Sequence, residues 1–248
     1  MSGGGGAGHP GCPGAEHGGE PRSGTCSLFV ISLPRSLSSL TYRVAREALG
    51  LAEPVWTSDG EVLNTDRYAA YGGPAHDAGR KFTRDAATAK RLHDFLDQLV
   101  QPAGFAYKDV VQPFVVSEWL TARDRGLAVL RIRRPLVDVA LAMLGREWLY
   151  PARAFAGEAS EDLETALLRG LRHAEAALDA VPAVEVEYDA LLRDETALTR
   201  ALRELVPGRA VGSIAYLDAG FRQVAGERLA RRTEARYASL NRKLAALR

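Results

Sequence analysis

Pro34-Arg35-Ser36-Leu37-Ser38-Ser39-Leu40 sets one guanidinium and three hydroxyls directly after a short apolar run. A guanidinium presents a planar fork of donors, and hydroxyls add donors in other directions. Where a strand turns into a helix, the first helical N–H groups also lack partners and point the same way. With the positive end of the helix dipole they make an anion site. Donors converging from several directions suit a phosphate better than a carboxylate. The stretch is not GxxxxGK[ST], so an ordinary Walker-type kinase or ATPase loop is not written here. The same residues also fit a plain helix cap with Arg35 in solvent.

Further chemistry lies downstream. Lys108 and Asp109 close the apolar run 105–109, a cation and a carboxylate where a strand ends. Asp109 is a candidate general base, and His76, in the irregular stretch 72–80, is a second. His93 sits within a helical pattern and reads as a surface histidine. Asp59 and Glu61 follow the first helix, where acceptor-facing residues or plain loop polarity both fit. Arg222, Arg228, Arg231 and Arg232 form a basic C-terminal cluster that either closes on an anion or is a solvated helix face.

The elements that must position these groups follow from pattern. Leu28–Leu33 and Leu127–Arg133 are short apolar, β-branched runs and predict buried strands; 105–109 and 183–187 are further strand candidates. Helices are expected over 40–51, 89–100, 113–122, 136–149, 160–180, 189–206 and 224–247, with Pro135 opening the fourth. Strands alternating with helices predict an α/β fold, a central, mostly parallel sheet with helices on both faces. Residues 1–24, rich in Gly and Pro, read as a disordered tail whose His9 and His17 carry no role; 25–248 form one domain. The aperiodic stretch 53–88 suits a functional insertion.

A net charge of +1 gives no global case for nucleic acid or an anionic membrane. No run approaches the ~20 apolar residues of a membrane span, and the N-terminus has no signal-peptide pattern. Two cysteines make neither a disulfide framework nor a zinc pattern, which suits a reducing, cytoplasmic setting.

Four stretches, in order, resemble PAPS-dependent sulfotransferases. Residues 29–40 resemble the family's 5′-phosphosulfate loop, Tyr107-Lys108-Asp109 an internal step, 130–138 the strand ending in the 3′-phosphate arginine, and 184–192 a late strand and helix. The resemblance covers about 28–205. It implies a three-layer fold of the P-loop-related sulfotransferase type and a cytoplasmic enzyme moving a sulfuryl group from PAPS (3′-phosphoadenosine 5′-phosphosulfate) to a hydroxyl or amine. The acceptor would be a small molecule, a specialised metabolite for example, and the chemistry requires no metal. Pro34, Arg35, Ser36, Leu37, Ser38 and Ser39 would hold the 5′ end. Arg133 would hold the 3′-phosphate, with Arg228 and Arg231 closing over it. Arg35 and Lys108 would stabilise charge on the leaving oxygen.

Two positions depart from the family. Leu37 stands where the loop has glycine, and a leucine in left-handed conformation costs ~1–2 kcal/mol. Leu141 stands where a serine completes the 3′-phosphate site, and Arg134 replaces an acidic residue. These leave open a different donor nucleotide, or a nucleotide-binding scaffold without catalysis.

Overall fold

The structure, a computed structural model, describes residues 26–64, 81–155, 162–212 and 214–247. The expected tail and His76 lie outside the described residues.

Strand β1 (Ser27–Ser32) is buried along its whole length. Its side chains alternate, as strand geometry requires: Phe29 and Ile31 enter one core, Leu28 and Val30 the other. It lies inside a four-stranded sheet of order β2-β1-β3-β4, with β2 Ala106–Asp109, β3 Leu127–Arg133 and β4 Val184–Glu187. All three pairings are parallel, with Phe29 opposite Tyr107 and Val129, and Ile132 opposite Val186. The expected parallel α/β sheet covered on both faces is what forms.

One face is covered by α1 (Ser38–Ala48), α7 (Tyr188–Arg193) and α8 (Thr196–Leu205), through Tyr42, Tyr188 and Leu202 among others. The other carries α2 (Ala86–Leu99), α3 (Pro113–Thr121), α4 (Leu136–Leu144), α5 (Tyr150–Ala154) and α6 (Leu163–Asp179). After α9 (Ala219–Ala230) and a 3₁₀ turn (Arg231–Thr233), α10 (Ala235–Ala246) adds Leu240 to that second face. From β1 the chain passes to β2 on one side, and β3 lies on the other. Open α/β sheets bind ligands at such a switch, beyond the carboxyl ends of the strands.

Two expected helices break and a third begins elsewhere. The stretch 189–206 divides because Asp194 Oδ1 accepts from Thr196 N at 2.8 Å, giving the backbone a local alternative to the helix. The stretch 136–149 stops at Leu144, and Glu147 turns at φ 55° before α5 starts at Tyr150, with Pro151 in its first turn. The C-terminal stretch begins earlier than expected, capped by Asp218 accepting from Phe221 N at 2.7 Å. Cys26, the one cysteine among the described residues, is not a free thiol, which departs from the expectation of reduced cysteines.

Candidate functional site

Leu37 caps α1 at φ 63°, and Arg35 also has positive φ, 65°. The loop therefore takes the left-handed path that glycine would make easy, with its strain carried by two side-chain-bearing residues. No side chain caps α1, so its first N–H groups stay available for an outside acceptor. The capping role that the serines also fitted is not used.

These residues open on a cavity of about 640 Å³. Arg35, Leu37, Ser38 and Ser39 form its floor, and Arg134, Arg146, Arg228 and Arg231 add cations from β3's end, the α4–α5 turn, α9 and the 3₁₀ turn. Arg134, 8% exposed, lies 4.3 Å over the Tyr188 ring and donates to the Arg35 carbonyl, bracing the loop. Arg228 donates to the Tyr188 hydroxyl at 3.3 Å. Burial, then Arg146 and Arg228, hold the Arg35 guanidinium below its ordinary value. Burial does the same to Arg134; Tyr188 and Asp138 oppose it, and Arg228 and Arg35 add smaller lowering effects. Such crowding of cations is relieved by an anion. Ser36 Oγ and Arg134 Nε are buried with no hydrogen-bond partner.

The same cavity has a second group of lining residues. Glu61, Lys81 and Tyr150 line it, and Trp148 stands at its edge with Arg35 Cζ 5.6 Å from the indole centroid. Lys108 lies just behind, 1% exposed. Its Nζ bonds Ser39 Oγ at 2.9 Å and Asp59 Oδ2 at 3.2 Å, and it pairs with Glu61 Oε1 at 3.3 Å. The loop serine is thereby linked to the carboxylates. Burial raises Glu61 above the usual carboxylate range, with Lys108 opposing. Asp59 sits below that range despite its burial, because Arg43, Ser39 and Lys108 all stabilise its charge. Asp109 Oδ1 accepts from Val111 N (3.0 Å) and Gln112 N (2.8 Å), while burial and then Glu61 push its carboxyl up to about 7.

No protein-family model matches the chain, and no curated protein matches it. Among solved structures, the chain is similar to the sulfotransferase domain from the curacin biosynthetic pathway, at 12% identity and a TM-score of 0.44, over 90% of this chain and 98% of that one. A sulfotransferase from Alicyclobacillus acidocaldarius matches at 15% identity and a TM-score of 0.44, over 89% of this chain and 94% of that one. What the cavity does follows from its own residues.

The structure brings Pro34, Arg35, Leu37, Ser38, Ser39, Arg228 and Arg231 to one cavity, with Ser36 buried in the loop beneath. Arg133 is a correction. It points away, paired with Asp179 Oδ1 at 2.6 Å and Glu185 Oε1 at 3.1 Å, and takes no part in the cavity. Strand alternation explains this: Arg131 makes the same two pairings at 2.6 and 2.9 Å from the same face of β3. Arg134, the first residue past the strand, lines the cavity instead. Lys108 and Asp109 stand behind the lining rather than in it, and His93 bonds the Val115 carbonyl away from the site. Arg232 is held by Asp138 and Asp189, and Arg222 reaches Glu195 at 3.8 Å. Arg146 was not found from sequence; Lys81 and Tyr150 lie in stretches expected to line an acceptor pocket (53–88 and 150–160), and Trp148, which sequence reads as core or pocket wall, is in the lining. Turns with no period deliver most of them.

The perturbed Asp109 carries a stability consequence. Its folded value, about 7, lies above the unfolded value of about 3.9. Between those values the folded state holds more protons, so stability is lost as pH rises from about 4 through about 7. Asp109→Asn keeps an acceptor for the Val111 and Gln112 N–H groups and removes the charge. Its melting temperature relative to wild type is expected to be higher at pH 8 than at pH 5, as thermal scans at both would show.

Proposed function

We propose that the chain transfers a sulfuryl group from PAPS to a hydroxyl or amine of a small molecule. One observation carries this. A single cavity beyond the carboxyl ends of the strands is lined both by Arg35, Arg134, Arg146, Arg228 and Arg231 and by the carboxylate-bearing Glu61.

PAPS, when bound, supplies a sulfuryl group activated by its link to phosphate. Arg35 and the N-terminus of α1 offer a fixed positive field where leaving-group charge would gather. Arg134, Arg228 and Arg231 suit a second phosphate and supply charge that Leu141 cannot. Glu61 is placed to take the acceptor's proton, and burial above the ordinary carboxylate range makes it a stronger base. Lys108 fixes Glu61, Asp59 and Ser39 together, so proton acceptor and anion loop keep one relative position. Trp148 and Tyr150, 6.4 Å apart, give an aromatic wall for the acceptor's body.

The test is a panel of melting shifts with PAP (the desulfated nucleotide), ATP, GTP and S-adenosylmethionine. PAP is expected to stabilise by about 2.7 kcal/mol at a hundredfold excess over Kd. No response to millimolar PAP beside a clear shift with another nucleotide would favour a different group donor and overturn this reading.

A further inference from the structure

Glu61 and Asp109 arrive from adjacent backbones. Residue 61 makes a parallel bridge to Lys108, and Asp109 ends β2. Each carboxylate is tied through one oxygen: Glu61 Oε1 lies 3.3 Å from Lys108 Nζ, and Asp109 Oδ1 takes two backbone N–H groups. The other oxygens, Glu61 Oε2 and Asp109 Oδ2, are both buried without a hydrogen-bond partner, and so is the Tyr150 hydroxyl.

The charges facing this pair are few. Lys108 is divided among Asp59, Glu61 and Ser39. Lys81 lies over the Tyr150 ring at 5.4 Å and acts on both carboxylates from the cavity side. Asn64 bonds Glu61, and Tyr150 feels both carboxylates. Asp59 has its own partner in Arg43 at 2.6 Å. Two interacting buried carboxylates both left ionised repel each other, and each also loses hydration; one retained proton removes one of the two charges. The two differ in access. Glu61 lines the cavity, whereas Asp109 is 2% exposed behind it.

We infer that Asp109 holds that proton at neutral pH and acts as a positioning residue, leaving Glu61 as the single carboxylate that accepts a proton from the acceptor. This rests on the proposed transfer for its role, though not for its existence. In the transfer, the acceptor oxygen bonds to sulfur of a phosphosulfate anhydride. The bond from sulfur to the bridging oxygen breaks, its electron pair stays on that oxygen, and the acceptor's proton moves to the Glu61 carboxylate. The proton on Asp109 stays where it is. The upward push on Asp109 from burial and from Glu61 agrees with this division.

Infrared difference spectra of the full chain without nucleotide, from about pH 5 to about pH 9, test it first. A carboxylic-acid carbonyl band titrating near neutrality is expected in wild type and absent in Asp109→Asn. A wild type lacking that band would overturn the inference. The kcat–pH profile is the second readout. The amide imitates the neutral acid, so the acidic limb is expected to stay in place in Asp109→Asn. A limb moved down by about one unit would mean Asp109 is normally ionised. A fall in kcat of more than about 100-fold with unchanged melting would make Asp109 itself the base. Either result overturns the inference. Should Asp109→Asn not fold, Glu61→Gln serves: the Asp109 band should then titrate at lower pH, and an unmoved band contradicts proton sharing. A protein showing the band without sulfuryl transfer would refute the proposed function and leave the pair intact.

Discussion

Arg35→Ala is expected to lower kcat/KM for sulfuryl transfer by roughly 10²–10³-fold and to remove most of the stabilisation by PAP. The effect is large because Arg35 is the one charged side chain the β1–α1 loop itself supplies. It is also crowded by Arg146 and Arg228, so an anion at this point relieves repulsion as well as gaining a partner. The side chain is exposed, and alanine inherits the same positive φ, so unliganded melting should change by no more than about 0.5 kcal/mol. Arg35→Lys keeps a charge and loses the fork, and is expected to recover part of the rate. Unchanged activity and PAP affinity in Arg35→Ala would show that the loop is a plain cap.

Arg134→Ala is expected to weaken PAP binding by about 10–100-fold, the range of one lost charged hydrogen bond. Arg133→Ala should stay within about threefold, although it is the arginine that sequence position assigns to the nucleotide. Arg134 reaches the cavity, stacks on Tyr188 and braces the Arg35 carbonyl. Arg133 serves Asp179 and Glu185 across the sheet's end, and its loss should appear in melting temperature, by about 1 kcal/mol or less for a pair so open to solvent. Calorimetric titration of both variants with PAP separates the two roles. The reverse ranking would restore Arg133 to the site.

Much of this was legible in the residues. Strands β1 and β3 are written as apolar runs, and a strand ending at Pro34 before serines announces the turn into α1. The path of the loop was legible only as a conflict, since Leu37 disfavours the conformation it adopts. The choice between Arg133 and Arg134 was within reach: period two places Arg131 and Arg133 on one face, which leaves Arg134 for another task. Glu61 was readable only together with Asp59, because its position depends on pairing with a residue 47 positions away (61 and 108). Trp148 and Tyr150 depend on how a turn crosses the mouth of the cavity, and nothing periodic records that.

The excursion after α1 that carries Glu61 also does something for the sheet. Strand β2 would otherwise be an outer strand with open backbone groups. Instead, Ala106 N donates to Ala52 O at 2.9 Å and Lys108 N to Gly60 O at 2.7 Å, while Ala52 N and Val62 N bond back to Gly104 O and Lys108 O. A sheet margin occupied in this way offers no template for another chain. Gly60 makes the fit possible, since a Cβ there would meet the Tyr42 ring at 2.2 Å. A substitution at Gly60 should therefore be felt twice, as a displaced carboxylate in the cavity and as a chain newly prone to self-association.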